Sequence, residues 1–509
     1  MLSTHLGGQI MDELEDTLRL PAKGHLLVGQ KKQATGITTA GQRLAVPTKD
    51  WDVENDDFDT IPLSKVSWPV MDELEDTLRR PVVPRAAVVE HVAIVQQEAT
   101  STGWINADGQ RIILARALRM FGYGFASVLI GVTLATTGFT PLQVSLLLSM
   151  ALAGDVVAII LVALLADRLG RRRILVVFAL LMALAGLAFA FSHTLIILLL
   201  AAFFGTISPS STSENAPFTA IEQAILPQTC LPQRCTDTFA RYNLVAQLAG
   251  AFGGLAVALP DIFNQLMGIT TNDGVHVMFA LYGLLGLAVA VVFMGMSKKV
   301  EPVAQVRLSP VPERRVLQIP SRPIILRLAS FFALDAFAGG LAVQAILAYW
   351  FRQRFGISLS ELGILFFGTN LLAALSLPVA ARLAKRFGLL RTMVFTHLPS
   401  QIFLVLVPLM PTFWLAAFFL LCRQSLSKMD VPTRQAYLMQ LVVPEERTAA
   451  ASFTTMARSV ATSMSPLVSG TLLTGSLLVL GLPFLLAGGL SIFYDLLLYG
   501  TFRNVKISR

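Results

Sequence analysis

Asp155, Asp335, Arg423 and Arg458 each stand deep inside a long apolar run, where charge is out of place. Placing a charged side chain at the middle of a membrane helix costs about 2.5–3.5 kcal/mol on insertion scales, so such residues usually face a partner or a water-filled path. Carboxylates in that setting can carry protons, and guanidinium groups can hold anions or pair with carboxylates. At a rise of ~1.5 Å per helical residue, Asp155 lies near mid-depth of its run. Asp335 and Arg423 lie at similar depth in theirs, and Arg458 somewhat nearer one end. Closer to the run ends stand Arg116, Arg119, Glu214, Glu222, Asp430 and Arg434. Catalytic chemistry is not evident. There is no nucleotide-binding loop, metal-ligand cluster or Ser/His constellation, and His193, His276 and His397 are scattered singly. Cys230 and Cys235 have no histidine nearby and read as ordinary reduced thiols. Neither an enzyme nor a bound metal or cofactor is expected.

The elements that carry these charges follow from composition. The chain is 54% hydrophobic and only 14% charged, where a soluble protein is about a quarter charged. From residue 111 it becomes twelve apolar runs, each near the ~20 residues that span a bilayer. Basic residues gather in alternate connections ("ADRLGRRR", "QRCTDTFAR", "AKRFGLLR", "PEER") and in the end segments. The opposite connections ("TTGFTP", "SHT", "PDIFNQLMGITTNDG", "MPTF", "TGS") have no Lys or Arg, and only "FRQRFG" breaks the pattern. By the positive-inside rule both termini are expected in the cytoplasm. Residues 1–110 hold 17 acidic and 10 basic residues, against 15 and 30 in the rest, so an acidic tail precedes a basic membrane body. The tail has no apolar period and is expected to be cytoplasmic and largely disordered. It repeats "MDELEDTLR" at 11–19 and 71–79, read either as a local duplication or as an amphipathic docking motif. The arginines interrupt apolar runs and form no hydrophilic groove, which argues against nucleic acid.

The two halves of the body repeat. "ADRLGRRR" at 166 is echoed by "AKRFGLLR" at 384, and "GFTPLQ" at 138 by "GISLSE" at 356, both at an offset of 218. "EQAIL" at 222 aligns with "RQAYL" at 434, which makes Glu222 and Arg434 equivalents of opposite sign. "ALLADRLGRRR" (163–173), between the second and third runs, resembles the signature loop of the major facilitator superfamily, with Ala163 in place of its first glycine. More narrowly, "SENAPFTAIEQA" and "SKMDVPTRQAY" resemble a little-characterised branch of that family. The resemblance implies an all-α membrane protein of twelve transmembrane helices in two pseudo-symmetric six-helix bundles. Expected units are the tail 1–110, a bundle 111–296, a cytoplasmic linker 297–325, a bundle 326–503 and a short tail 504–509.

In that family the first, fourth, seventh and tenth helices line a central cavity, and the second packs near the eleventh. This implies that Arg119, Glu214, Asp335 and Arg423 surround the cavity, and that Asp155 and Arg458 form a buried pair across the halves. Asp155 is read either as a proton-accepting group or as the fixed partner of Arg458. Glu222 and Arg434 are expected to form an inter-half bridge at the cytoplasmic rim, and Arg116 to snorkel to the interface. The polar stretch "SPSSTSENAPF" (208–218) is expected to be a kinked, cavity-lining part of the fourth span. The resemblance also implies that Asp167 meets the start of the eleventh helix and Arg171 makes further inter-half contacts, with Gly170 allowing the tight turn. The expected function is a secondary transporter, symporter or antiporter, moving a small anionic or zwitterionic solute by alternating access. Asp155, Glu214 and Asp335 offer carboxylates for proton coupling, and facilitated diffusion is the alternative mode. The expected partners are solute, protons and lipid bilayer, with the chain a monomer in the plasma membrane. The alternative is a transporter-like receptor or scaffold without flux, binding a partner through its tail. "AGAFGGL" (249–255) lacks the central Gly-Pro of drug–proton antiporters, which weakens a multidrug reading.

Overall fold

The structure, a computed structural model, describes four short strands between His25 and Pro62, and from Ile105 to Arg503 all but 137, 211–216, 232–233, 298–299, 302–321, 443–445 and 474–480. The chain divides into two compact units, Met1–Val92 and Ala93–Arg509. In the first unit β1 (His25–Leu27) pairs antiparallel with β4 (Thr60–Pro62), and β2 (Thr35–Thr39) with β3 (Gln42–Val46). These pairings did not follow from the composition of the tail. Both "MDELEDTLR" copies lie outside the described residues.

The second unit is helical. Among the described residues nine helices, or helices joined end to end, are long and apolar enough to cross a bilayer. They include α1 (Ala107–Thr136), α2 (Pro141–Leu169) and α3 (Arg171–Phe191). Two short helices, α4 (Leu195–Phe204) and α5 (Pro217–Ile225), share the fourth crossing. The fifth joins α6 (Cys235–Leu255) to α7 (Leu259–Met267), and the sixth is α8 (Thr271–Met294). In the second half α9 (Arg322–Gly340) and α10 (Gln344–Phe355) form the seventh, followed by α11 (Leu359–Phe387) and α12 (Leu389–Leu406). The tenth is split into α13 (Phe413–Ser427) and α14 (Asp430–Leu441), and α15 (Arg447–Leu472) and α16 (Leu482–Phe502) complete the set. Large apolar side chains such as Leu164, Leu184, Phe395 and Leu496 point outward, as lipid requires, while the charged ones turn inward.

The internal repeat has a physical form. Both α2 and α11 are 29 residues long. Each starts with a capping box, Thr140 with Gln143 and Ser358 with Glu361, in which the cap hydroxyl accepts from the N3 amide and the N3 side chain accepts from the cap amide. Each ends at a glycine of positive φ, Gly170 at 96° and Gly388 at 87°, a conformation that a Cβ disfavours. The first helix starts at Ala107, ahead of its apolar run. The carboxylate of Asp108 there accepts from the Ser297 amide (3.0 Å) and hydroxyl (2.5 Å), tying the start of α1 to the end of α8.

How the apolar core is divided decides what the fold can do. One cluster takes residues from both halves, including Val128, Leu147 and Leu198 with Ala345, Trp350 and Phe484. It lies away from the face that carries the two ends of the helical body. Near that terminal face the core separates into two. One cluster, with Ile112, Phe218 and Phe293, belongs wholly to the first half, and the other, with Leu328, Tyr437 and Phe502, wholly to the second. The halves therefore share a core on one side of the bilayer only.

Candidate functional site

A cavity of about 280 Å³ lies between the halves. Its described lining is lopsided. The first half supplies Asp155 and neighbours on α2 together with Ser208 and Ser210, while the second half supplies residues of α9 to α16. Three crossings break where they meet it. The fourth is unwound after Phe204, with Thr206 at a φ of 51°, the seventh between Gly340 and Gln344, and the tenth around Lys428. Irregular backbone at such depth is tolerated only against protein or water, so the breaks coincide with the one place where both are available. Ser208 and Ser210 place the described part of the polar fourth-span stretch on the cavity wall.

In the second half the buried charges form one network. Arg434 on α14 donates to Asp335 on α9 (3.1 Å) and to Asp430 one turn before it (2.8 Å), and its guanidinium lies 5.6 Å from the Phe332 ring. His397 on α12 places Nε2 3.7 Å from Asp335 and Nδ1 3.0 Å from Asp495 on α16. The Gln401 amide sits 2.8 Å from Nε2, and the Ser491 hydroxyl 3.5 Å from Asp335. The ring edge of His397 faces Tyr494. Ligand atoms of Asp335, His397 and Asp430 approach within 4.8 Å of one another. Arg434 bridges the two carboxylates and offsets one of their two charges, and His397 supplies a second positive charge when protonated.

The first half holds the mirror image of this pair with its charges exchanged. Arg119 on α1 grips Glu222 on α5 through both nitrogens, at 2.6 and 2.9 Å, and the Tyr242 hydroxyl adds a third bond at 2.6 Å. Phe218 stacks 4.1 Å from the Arg119 guanidinium, and Arg116 donates to Thr219 at 2.6 Å beside the Tyr242 ring. Neither side chain of the Arg119–Glu222 pair has any exposed surface, whereas Arg434 and Asp335 keep 7% and 9%. One pair is sealed, and the other lines the cavity.

Several expectations are corrected here. Arg119 does not line the cavity, because Glu222 and Phe218 hold it inside the first bundle. Glu222 and Arg434 do not bridge the halves, because each finds a partner of opposite sign within its own bundle. Arg116 is buried against Thr219 rather than snorkelling. Asp155 and Arg458 line the same cavity, but among the described residues Asp155 forms no ion pair or hydrogen bond, so the expected cross-half pair is not made. Asp335 and Arg423 do line the cavity. Glu214 lies outside the described residues, as does the side chain of Asp167. Gly170 turns with the expected positive φ, and the Glu301 carboxylate fills the space before it. That carboxylate accepts from the Arg171 amide at 2.7 Å and the Arg172 amide at 3.3 Å. It caps α3, where an anion at a helix N-terminus is favoured by about 0.3–1 kcal/mol. Cys230 and Cys235 are joined as a disulfide rather than held as thiols.

Asp495 is not among the expected site residues, and His397 appears there only as one of three scattered histidines. The signal for them was available: Asp495 is an acid in the middle of the last apolar run, and a histidine in the ninth run is its natural counterpart.

The family model described as Major Facilitator Superfamily matches residues 112–351 and again 328–506, the two matches overlapping in the seventh crossing. The chain belongs to the major facilitator superfamily. A curated relative is an uncharacterized membrane protein of Saccharomyces cerevisiae, 26% identical over 416 residues that cover 76% of this chain and 92% of the yeast protein. Among solved structures, nucleoside transporter NupG superposes with a TM-score of 0.60 at 13% identity, covering 79% of this chain and all of its own. A bacterial homologue of the human lysosomal transporter Spinster gives 0.60 at 16% identity over 78% and 96%. The xylose transporter XylE of E. coli gives 0.58 at 12% identity over 79% and 100%. At such identities the likeness establishes the fold. Family and fold together make this a multi-pass membrane transporter of the major facilitator superfamily rather than an enzyme.

Proposed function

We propose that this protein is a secondary transporter that moves a small solute by alternating access, driven by protons taken up in the second-half network. The observation that carries the first part is the divided core: one apolar cluster joins the halves on the side away from the termini, and two separate ones lie on the terminal side. The hydrogen bonds between the halves agree with it. Ser149 on α2 accepts from the Leu467 amide (3.1 Å), Ser360 on α11 donates to Asp261 on α7 (2.9 and 3.0 Å), and the Ala345 amide donates to the Pro209 carbonyl (3.2 Å). At Gly131 a Cβ would run into the Ala345 carbonyl. All these sit beyond mid-depth on the closed side. Basic loops mark the terminal side as cytoplasmic, so the cavity faces the cytoplasm, and the plasma membrane is the location this reading favours. Rocking the halves would exchange the shared core for contacts at the terminal side, where the Gly170 loop and Glu301 lie.

The proton part rests on His397. Its two ring nitrogens face Asp495 and Asp335, and the Gln401 amide can serve either protonation state. Its NH₂ donates to a bare Nε2, and turned over its oxygen accepts from Nε2–H. Asp335 and Asp430 share Arg434, so a proton arriving on His397 or Asp335 alters the pull on Arg434, which is anchored on the broken tenth crossing. That gives a charge change at a hinge, the ingredient coupling needs.

The test uses proteoliposomes with an imposed pH gradient and a solute library. Flux that follows the gradient in wild type, and in Asp335→Asn becomes gradient-blind exchange, is the expected result. A second arm introduces Asp261→Cys with Ser360→Cys in a chain whose Cys422 is replaced by serine. Oxidation should arrest flux and reductant should restore it. Undiminished flux through an oxidised cross-link defeats alternating access. Folded protein that moves no solute would return the chain to the receptor or scaffold reading.

A further inference from the structure

Among the described residues, three charged groups on the cavity wall lack a counter-ion: Asp155 from the first half, and Arg423 and Lys428 from the second. Asp155, on α2 of the first half, is 93% buried by its 7% exposure and lines the cavity. Among the described residues it has neither a hydrogen bond nor an ion pair. Arg423, on α13 of the second half, also lines the cavity. Its guanidinium donates one bond, to the Gln424 amide oxygen at 3.1 Å, and its Nε is buried with no partner. No carboxylate among the described residues lies within salt-bridge distance of it. Asp335, Asp430, Asp495, His397 and Arg434 hold one another in one network, and Lys428, at the break in the tenth crossing, is only part-buried. A buried charge without a partner costs several kcal/mol, and a transporter recovers that cost when solute arrives.

We infer that the cavity is built for a small zwitterion, with its cationic amine on Asp155 and its carboxylate on Arg423. This deepens the transporter reading and rests on it. The cavity lining also holds apolar side chains, among them Leu152, Val156, Ile159, Val343, Leu347 and Phe366, beside polar ones such as Thr369, Asn370 and Gln424. Such a wall suits an aliphatic or aromatic body attached to the charged centre, as in a neutral α-amino acid. The cavity volume of about 280 Å³ admits a solute of that class. A solute bearing both charges ties the halves together, one end to each, and a singly charged solute leaves one wall group desolvated and unpaired. Selectivity for the zwitterion follows from that penalty rather than from size.

The experiment separates binding from flux. Purified full-length protein in detergent is titrated with L-alanine, L-leucine and L-phenylalanine, and with the methyl ester (cation only) and N-acetyl (anion only) forms of each, reading the unfolding temperature. At least one parent amino acid should stabilise wild type, with both blocked forms at least 10-fold weaker. Asp155→Asn should lose the preference for the free amine, so that the N-acetyl form binds as well as the parent. Arg423→Gln should lose the preference for the free carboxylate. Asp155→Glu, which keeps the charge, should retain zwitterion binding and guards against a folding defect. Equal binding of the N-acetyl form to wild type would make this an anion site, and equal binding of the ester a cation site. Either result overturns the inference, as does stabilisation by none of the nine compounds. In each case flux of any other solute in proteoliposomes leaves the transporter reading intact, while absence of all flux sinks that reading instead.

Discussion

Glu222→Gln separates a fixed clamp from a moving part. The carboxylate accepts two bonds from Arg119 and one from Tyr242, and neither charged side chain has exposed surface. Glutamine keeps the shape and one acceptor oxygen but turns an NH₂ toward Arg119, leaving a guanidinium buried with no counter-charge. Removing one partner of a buried pair costs about 3–5 kcal/mol. Spread over a domain of roughly 400 residues, with an unfolding entropy near 2.1 cal/mol/K per residue, that lowers Tm by roughly 4–6 °C. The assay follows the folded fraction after heating in detergent, by size-exclusion profile, beside flux normalised to folded protein. Arg119→Gln with Glu222→Gln should recover most of the loss, since both charges are then gone. Flux per folded molecule should stay within about two-fold of wild type in both variants. A Glu222→Gln protein of unchanged Tm that no longer transports would refute the argument, because it would place the working charge in the sealed pair.

His397→Asn keeps an amide where Nδ1 meets Asp495 and removes the titratable ring, so gradient-driven accumulation should fall at least 10-fold while solute exchange without a gradient persists. Counterflow and accumulation measured on the same vesicles check it. Gly170→Ala forces a Cβ into a φ of 96° and against the Glu301 carboxylate at 2.9 Å, so it should destabilise by about 1–3 kcal/mol. Gly388→Ala has the same positive φ but nothing within 4 Å of its Cβ, and its smaller Tm loss would isolate the share due to Glu301. Glu301→Gln keeps one acceptor oxygen for the Arg171 amide, gives up the longer contact from the Arg172 amide and removes the charge, so it should cost at least the ~0.3–1 kcal/mol of a helix-terminal anion, read as a Tm shift that high salt diminishes.

The parts of the fold written in local sequence were the legible ones. Apolar run length, basic loops and the 218-residue offset are set by the bilayer and by caps, and the structure returns them as Thr140 with Gly170 and Ser358 with Gly388. The pairings were not local. Glu222 lies 103 residues from Arg119, and Arg434 lies 99 from Asp335, so periodicity carries no trace of either bond. Yet the repeat contained the answer. If Glu222 and Arg434 are equivalent by the 212-residue offset, a partner of Glu222 on the first crossing demands an equivalent of opposite sign on the seventh. Arg119 and Asp335 meet that demand at an offset of 216. Aligning the charges as well as the motifs would have drawn both pairs inside their own bundles and left Asp155 and Arg423 without partners. A duplicated fold can hold the same clamp with the polarity reversed, because an ion pair constrains the distance between two helices and not which helix carries the acid. What distinguishes the halves is then what surrounds the pair. Tyr242 and Phe218 close one off, while the other borders the cavity beside His397 and Asp430. Asymmetry of that kind fits the proposed rocking mechanism, with one half as a rigid body and the other carrying the switch.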